Sequence, residues 1–273
     1  MAPFLSIVTV NLDDRAGLAR TLGSVARQTF ADREVIVVDG GSTDGSAEVV
    51  REHAGLVTDF VSEPDGGIFD AQNKGTRRAH GTYCLYLNAG DLLASDDALE
   101  RFFGAGPPHE DILYGDVMIE EVDGRRRVEL SPEKLTWAFF MRTTLPHQST
   151  AFRRTLFDRV GPYDTTLRVA GDYEFFLRSV VVHGASSRHV PVPLAVYVMG
   201  GRSTRPEAFP LVRKERVLAK EKALSPALRE HWEDYVVAKR GRVLHWLRTA
   251  LRPFSRPART WSRRLRGRPD SPI

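Results

Sequence analysis

Three polar clusters cut off apolar runs in the first ninety residues. "VTVNLDD" ends in Asn11 and Asp13, "EVIVVDGGSTDGS" carries Asp39 ahead of Gly40, Gly41, Ser42, Thr43 and Asp44, and "CLYLNAGD" closes on Asn88 and Asp91. Carboxylate and amide oxygens placed this way can accept a hydrogen bond from a base N–H or a ribose hydroxyl, or ligate a hard cation. The same residue types also build Asx turns and helix caps, so position in the fold decides between chemistry and punctuation.

The elements needed to position these groups can be read around them. "FLSIVTV" (4–10) and "EVIVVD" (34–39) are short β-branched runs, as expected of strands covered on both faces. Between them Leu18, Leu22, Val25 and Ala26 recur at helical spacing in "RAGLARTLGSVARQ". This is a βαβ unit, whose right-handed crossover predicts a parallel sheet. "SAEVVREHA" reads as a helix, "TDFVSEP" as a strand, "IFDAQNKGTRRAH" as a helix and "TYCLYLN" as a strand. The fold class expected is α/β, an open, mostly parallel, doubly wound sheet with ligands beyond the strand C-termini. Gly40 and Gly41 are expected to allow a tight turn with positive φ, and Ser42 or Thr43 to cap the next helix.

Composition narrows the function classes. The chain has 273 residues and a single cysteine, Cys84, which rules out an internal disulfide framework and suits a reducing compartment. No apolar run approaches the roughly 20 residues that span a bilayer, and "MAPFLSIVTVN" enters a strand without a signal-peptide layout. A cytoplasmic protein is expected, one that could sit peripherally on the inner face of a membrane. Residues 1–201 hold 20 Lys and Arg against 28 Asp and Glu, whereas 202–273 hold 19 against 7. The body is acidic and the tail is basic. Neither "VNLDDRAG" nor "VDGGSTDGS" is a GxGxxG fingerprint, which weighs against a dinucleotide dehydrogenase.

Several motifs in order resemble one family. "SIVTVNLDDRAGLARTLGSVARQTF", "EVIVVDGGSTDGS", "EPDGGIFDAQNKG" and "YLNAGD", followed by "HQSTAFRRTLFDRVGPYDTTLRVAGDYEFFLR" and "GGRST", are similar to glycosyltransferase family 2 over roughly residues 4–205. The resemblance implies a GT-A fold and an inverting transfer from a nucleoside diphosphate sugar, usually with a divalent metal. It divides the chain into a catalytic domain at 1–205, with a nucleotide-sugar half at 1–91 and an acceptor half at 92–205, and a helical, basic extension at 206–273.

The implied chemistry needs charge stabilisation on the leaving diphosphate and a carboxylate that deprotonates the acceptor hydroxyl. Asp91 is expected to hold Mg²⁺ or Mn²⁺. Asn88 stands where the family often has an acid, so it offers a neutral oxygen instead. A single carboxylate with substrate phosphates and water is enough for such an ion in principle. In "VAGDYEFFLRSV", Asp172 matches the family's catalytic base while Gly171 replaces its acidic neighbour. Glu174, two residues on, points elsewhere. Asn11, Asp39, Asp70, Asn73, Asn88 and His147 are expected to line the nucleotide-sugar site, and Lys74 to be solvated. Arg202 or Arg205, in "VMGGRSTRPE", could reach the diphosphate from a closing loop, or the segment could be a surface turn.

Within 239–268 there are 11 basic residues and no acidic one, interleaved with Trp246, Leu247, Leu251, Phe254 and Trp261. A basic amphipathic helix bearing tryptophan suits an anionic membrane surface, and packing on the catalytic domain is the plainer use of it. No nucleic-acid module accompanies the charge, and none is expected as a partner. The expected partners are a nucleoside diphosphate sugar donor and a hydroxyl acceptor such as a glycan, glycolipid or lipid-linked intermediate. The alternatives are a nucleotidyltransferase, which lacks its glycine- and lysine-rich loop here, and a non-catalytic sugar-nucleotide-binding module.

Overall fold

A computed structural model describes residues 2–104, 108–199, 205–232 and 234–236. In chain order the first half holds β1 (Leu5–Asn11), α1 (Arg15–Ala26), β2 (Arg33–Asp39), α2 (Ser46–Glu52), β3 (Asp59–Ser62), α3 (Ile68–Arg78), β4 (Tyr83–Tyr86), β5 (Leu92–Leu93) and α4 (Ala98–Phe103). The second half holds β6 (Ile112–Glu120), β7 (Arg126–Glu129), α5 (Trp137–Phe140), β8 (Thr150–Arg153), α6 (Arg154–Val160), α7 (Gly171–Phe176), β9 (Ser187–Val198) and α8 (Phe209–Ala223). Compactness separates the chain at Pro226, and residues 227–232 beyond it are helical. α8 lies within the compact unit that ends at Pro226, where it packs on α7.

The strands form one open sheet in the order β3-β2-β1-β4-β8-β6-β9-β5, with β7 paired to β6. From β3 to β4 every pairing is parallel, as the βαβ pattern requires. Beyond β4 the pairings with β8 are antiparallel, β6 and β9 run parallel, and β5 closes the edge antiparallel to β9. Because β8 runs against β4, its N-terminal end lies beside the β4 C-terminus. The segment before β8 is thereby delivered to the same edge as Asn11, Asp39 and Asn88.

Strand alternation sorts the core into two layers. Leu85 and Ala151 are register partners and face α1 and α4, among Leu18, Leu22, Val25, Leu99 and Phe102. Their neighbours Cys84, Tyr86 and Phe152 face the other way. There Tyr86, Phe152, Phe157, Tyr163, Phe175 and Phe176 form a continuous aromatic layer with centroids 4.7–6.2 Å apart under α6 and α7. Each fully buried ring stabilises the fold by about 1.5–3 kcal/mol. This layer fixes the start of α7, and with it Asp172.

Candidate active site

The turn after β4 is held shut from several directions. Asp91 N–H donates to Asn88 O at 2.9 Å, and Asn88 N–H donates to Asp91 Oδ2 at 3.0 Å, with Gly90 at φ 99°. Thr21, from α1, donates its hydroxyl to Asp91 O at 2.8 Å and accepts Gly90 N–H at 3.0 Å. These bonds fix the direction of the Asp91 carboxylate. Its Oδ1 takes no hydrogen bond from the described residues.

Asp91 and Asp172 meet across one imidazole. His147 Nε2 lies 3.7 Å from Asp91 Oδ2, and its Nδ1 lies 3.6 Å from Asp172 Oδ2. His147 occupies the short helical turn His147–Ser149 just before β8, while Asp172 starts α7. Burial alone would pull the imidazole down, but the flanking Asp172 and Asp91 carboxylates outweigh it and push the ring up to about 10. The pair of carboxylates favours the imidazolium form of His147.

Asn88 joins this chain without offering a free oxygen. Its amide nitrogen is 2.9 Å from His147 Nε2, and its Oδ1 accepts from Gln72 Nε2 at 3.1 Å. A proton on Nε2 would require the opposite assignment of both amides, with the Asn88 carbonyl toward the ring and its NH₂ toward Gln72. Either way the Asn88 amide is shared between His147 and Gln72. Gln72, 3% exposed in α3, carries no signal in the sequence beyond its place in a helical run.

Asp39 reaches the same edge in a different condition. It is 1% exposed and accepts four hydrogen bonds: Asn11 Nδ2 at 2.7 Å and Ser42 Oγ at 2.5 Å on Oδ1, Ser42 N–H at 2.8 Å and Ser62 Oγ at 2.7 Å on Oδ2. Burial raises its pKa, and the bonds from Ser42, Ser62 and Asn11 more than compensate, holding it below the usual carboxylate range. Direct acceptance of a nucleoside proton at Asp39 would require one of these bonds to give way. Asn11 is oriented unambiguously, because its NH₂ must face the carboxylate. Its Oδ1 is a buried acceptor without a partner among the described residues.

The loop chemistry differs in detail from the sequence expectation. Of Gly40 and Gly41 only the second has positive φ, 84°; a Cβ on Gly40 would stand 2.7 Å from Asp65 Oδ2, so that carboxylate would have to move aside. Ser42 turns to Asp39 rather than capping α2, whose N-cap is Gly45, and Asp44 Oδ1 takes Ser46 N–H at 3.0 Å instead.

Two of the expected site residues make bonds within the fold, and the expectation for Lys74 is corrected. Asn73 is 4% exposed and clasps Tyr163, donating to its carbonyl and accepting its N–H, each at 2.9 Å. Both polar ends of that amide are engaged in this clasp. Asp70 accepts Gly66 N–H at 3.0 Å, which fixes the loop ahead of α3. Lys74 is not solvated: its side chain is 17% exposed, 2.9 Å from Glu63, and bonded to Pro64 O at 3.1 Å. Glu174, as expected, points away, to Arg178. The family's acid at position 171 is excluded sterically, since a Cβ on Gly171 would meet the Phe69 ring at 2.7 Å. Of the diphosphate candidates, Arg202 lies outside the described residues, as does the whole of 239–268. No helix of the described residues is long and apolar enough to cross a membrane.

Among the described residues no three His, Cys, Asp or Glu side chains gather into a metal cage. A hard cation still fits Asp91, whose free Oδ1 can serve as one ligand while diphosphate oxygens and water complete the shell.

The model of glycosyl transferase family 2 matches residues 6–162, which spans β1 through α6 and more than half the chain. The chain belongs to glycosyltransferase family 2. A PGL/p-HBAD biosynthesis glycosyltransferase of Mycobacterium bovis is 34% identical over 202 residues, covering 72% of this chain and 77% of the relative. A validoxylamine A glucosyltransferase of Streptomyces hygroscopicus is 37% identical over 120 residues, 41% of this chain and 28% of that one. Among solved structures, S. aureus TarS 1-349 in complex with UDP superposes with TM-score 0.61 at 20% identity, over 82% of this chain and 68% of that one. The mannosyltransferase PcManGT of Pyrobaculum calidifontis, in complex with GDP-Man and Mn²⁺, gives 0.57 at 18% identity, over 90% and 83%. The two superpositions establish the GT-A fold, and the family establishes a glycosyltransferase.

Proposed function

We propose that this enzyme moves a sugar from a nucleoside diphosphate sugar to an acceptor hydroxyl with inversion at the anomeric carbon. The observation that carries the reading is the Asp91–His147–Asp172 chain, which couples a carboxylate fit for a cation to a carboxylate fit for a base at one sheet edge. Asp172 takes the acceptor proton as the hydroxyl attacks the sugar from the face opposite the diphosphate. Its Oδ1 is engaged by Tyr173 N–H at 2.7 Å, leaving Oδ2 as the proton-accepting atom beside His147. The His147 imidazolium orients both carboxylates and offsets part of the negative charge that collects when the diphosphate binds. Asn11 Oδ1 accepts a nucleobase N–H, while Asp39 and Ser42 hold Asn11 in place. Mg²⁺ or Mn²⁺, held at Asp91 and the diphosphate, would supply further charge stabilisation for the leaving group.

TarS has been captured with UDP-GlcNAc and PcManGT with GDP-Man, and these two donors supply the first probes. Thermal melts with UDP-GlcNAc and GDP-mannose, with and without Mg²⁺ or Mn²⁺, should rise with donor. A ligand at 100 times its dissociation constant stabilises by about 2.7 kcal/mol. Absence of a shift with these and a wider panel of nucleoside diphosphate sugars would overturn the reading. The basic segment 239–268 supports an acceptor presented at an anionic lipid surface on the cytoplasmic side. Co-sedimentation with phosphatidylglycerol vesicles, compared with phosphatidylcholine alone, tests it.

A further inference from the structure

The loop that delivers Asp172 is held by a carboxylate from a distant helix. Glu215, 6% exposed in α8, accepts the backbone N–H groups of three consecutive residues: Arg168 at 2.9 Å on Oε1 and 3.0 Å on Oε2, Val169 at 2.8 Å and Ala170 at 3.0 Å on Oε2. Residues 168–170 lead directly into α7, whose N-cap, Ala170, has no side chain able to cap. A carboxylate of the kind a cap residue normally provides locally comes here from 45 residues away.

The rest of α8 reinforces the same grip. Arg216 lies over the Tyr173 ring at 4.9 Å, Lys220 donates to Met141 O at 3.0 Å, and Lys222 pairs with Asp164 at 2.6 Å and Thr166 at 2.5 Å. The contacts of Lys222 and Arg216 bracket Asp172 from the loop before it and the residue after it. None of them touches Asp39 or Asp91.

The geometry points to Glu215 as a positioning residue for the catalytic base, acting through the 168–170 backbone to aim Asp172 at the acceptor hydroxyl. This inference rests on the assignment of Asp172 as base. Without the carboxylate three buried N–H groups lose their acceptor, and the loop must rearrange to find others. The entry into α7 moves with it. Proton abstraction is sensitive to such movement, because displacement of a reacting group by about 1 Å can cost on the order of 100-fold.

The test compares Glu215→Ala, Glu215→Gln, Asp172→Asn and the Glu215→Ala/Asp172→Asn double variant in the full chain. Turnover is read as UDP or GDP release from UDP-GlcNAc or GDP-mannose at saturating donor, and donor binding from melt shifts. Glu215→Ala should lower kcat by about 10- to 100-fold, with donor affinity unchanged. Glu215→Gln, which keeps a carbonyl oxygen for the three bonds made by Oε2, should recover most of that loss. In the Asp172→Asn background Glu215→Ala should cost nothing further. Losses that multiply in the double variant, or a fall in donor affinity that matches the fall in kcat, would overturn the proposal. Should Glu215→Ala not fold, Glu215→Asp withdraws the carboxylate by one methylene and serves the same comparison. Full turnover by Asp172→Asn would remove the base assignment itself. Lost turnover there with full turnover in Glu215→Ala would remove Glu215 alone.

Discussion

Asp39 and Asp172 sit at the same edge of one sheet and are supported in opposite ways. Asp39 is saturated, with four donors drawn from the two neighbouring strand ends and the loop after its own strand, and almost no exposed surface. Asp172 has one backbone donor, an imidazole at 3.6 Å and a side chain 22% exposed, while its rigidity comes from Glu215 in a helix that the family model does not reach. A carboxylate with every lone pair engaged is a brace. One with an open oxygen and a stiff backbone is equipped to take a proton. The Asp39 carboxylate is thus committed to architecture, whereas Asp172 keeps Oδ2 clear of backbone donors and the loop before it is held from α8.

The largest effect that would break this contrast is catalytic. Asp172→Asn should reduce turnover by about 10²–10⁴-fold while leaving the donor-induced melt shift in place. Equal turnover by the variant, measured as nucleoside diphosphate release, would put the base elsewhere. Next in size is Asp39→Asn, which removes a charged acceptor from four donors and should cost about 1–3 kcal/mol of stability. Because the folded-state pKa of Asp39 lies below its unfolded value, its contribution is present above the unfolded pKa near 4 and is lost as pH falls through the folded value. Acid unfolding of the variant should accordingly be less steep than that of the parent, as followed by circular dichroism.

His147 sharpens the comparison from the basic side. Its folded pKa of about 10 lies above the unfolded value of about 6.5, so its stabilisation is complete below the unfolded value and disappears as pH rises through about 10. His147→Gln should flatten the stability profile over that window, read from melting temperatures at intervals of pH. Gly171→Ala pushes a methyl into the Phe69 ring and should destabilise by about 1–2 kcal/mol. A melt unchanged from the parent would show that the Phe69 contact does not explain the missing acid. The smallest effect is expected far from both carboxylates. Arg126 pairs with Glu120 on the exposed β6–β7 hairpin, and Arg126→Ala should change stability by no more than about 0.5 kcal/mol.

The sequence exposed what is local. β1, α1, β2, α2, β3 and α3 follow from consecutive runs whose periodicity and turn residues lie within a few positions of each other, and the strand-tip acids were visible as interruptions of those runs. Long-range pairings left weaker traces. β5 is two residues long and reads as nothing by pattern, yet it closes the sheet against β9. Asn73 and Asp70 share a helix face, as their spacing predicts, but spacing does not say what that face meets, and Asn73 meets a backbone 90 residues away. Glu215 lies in "RKERVLAK", where an acid among bases reads as one half of a surface ion pair. Only the packing of α8 on α7 reveals a buried acceptor. Gly171 looked like the loss of a functional acid, whereas it is the residue the Phe69 ring permits.

The reciprocal pair between Asn73 and Tyr163 has a mechanical consequence. It rivets α3 to the stretch that leads toward α7, and prising that seam apart would forfeit two hydrogen bonds at about 0.5–1.5 kcal/mol each. Any opening between α3 and the segment ahead of α7 has to break that reciprocal pair first.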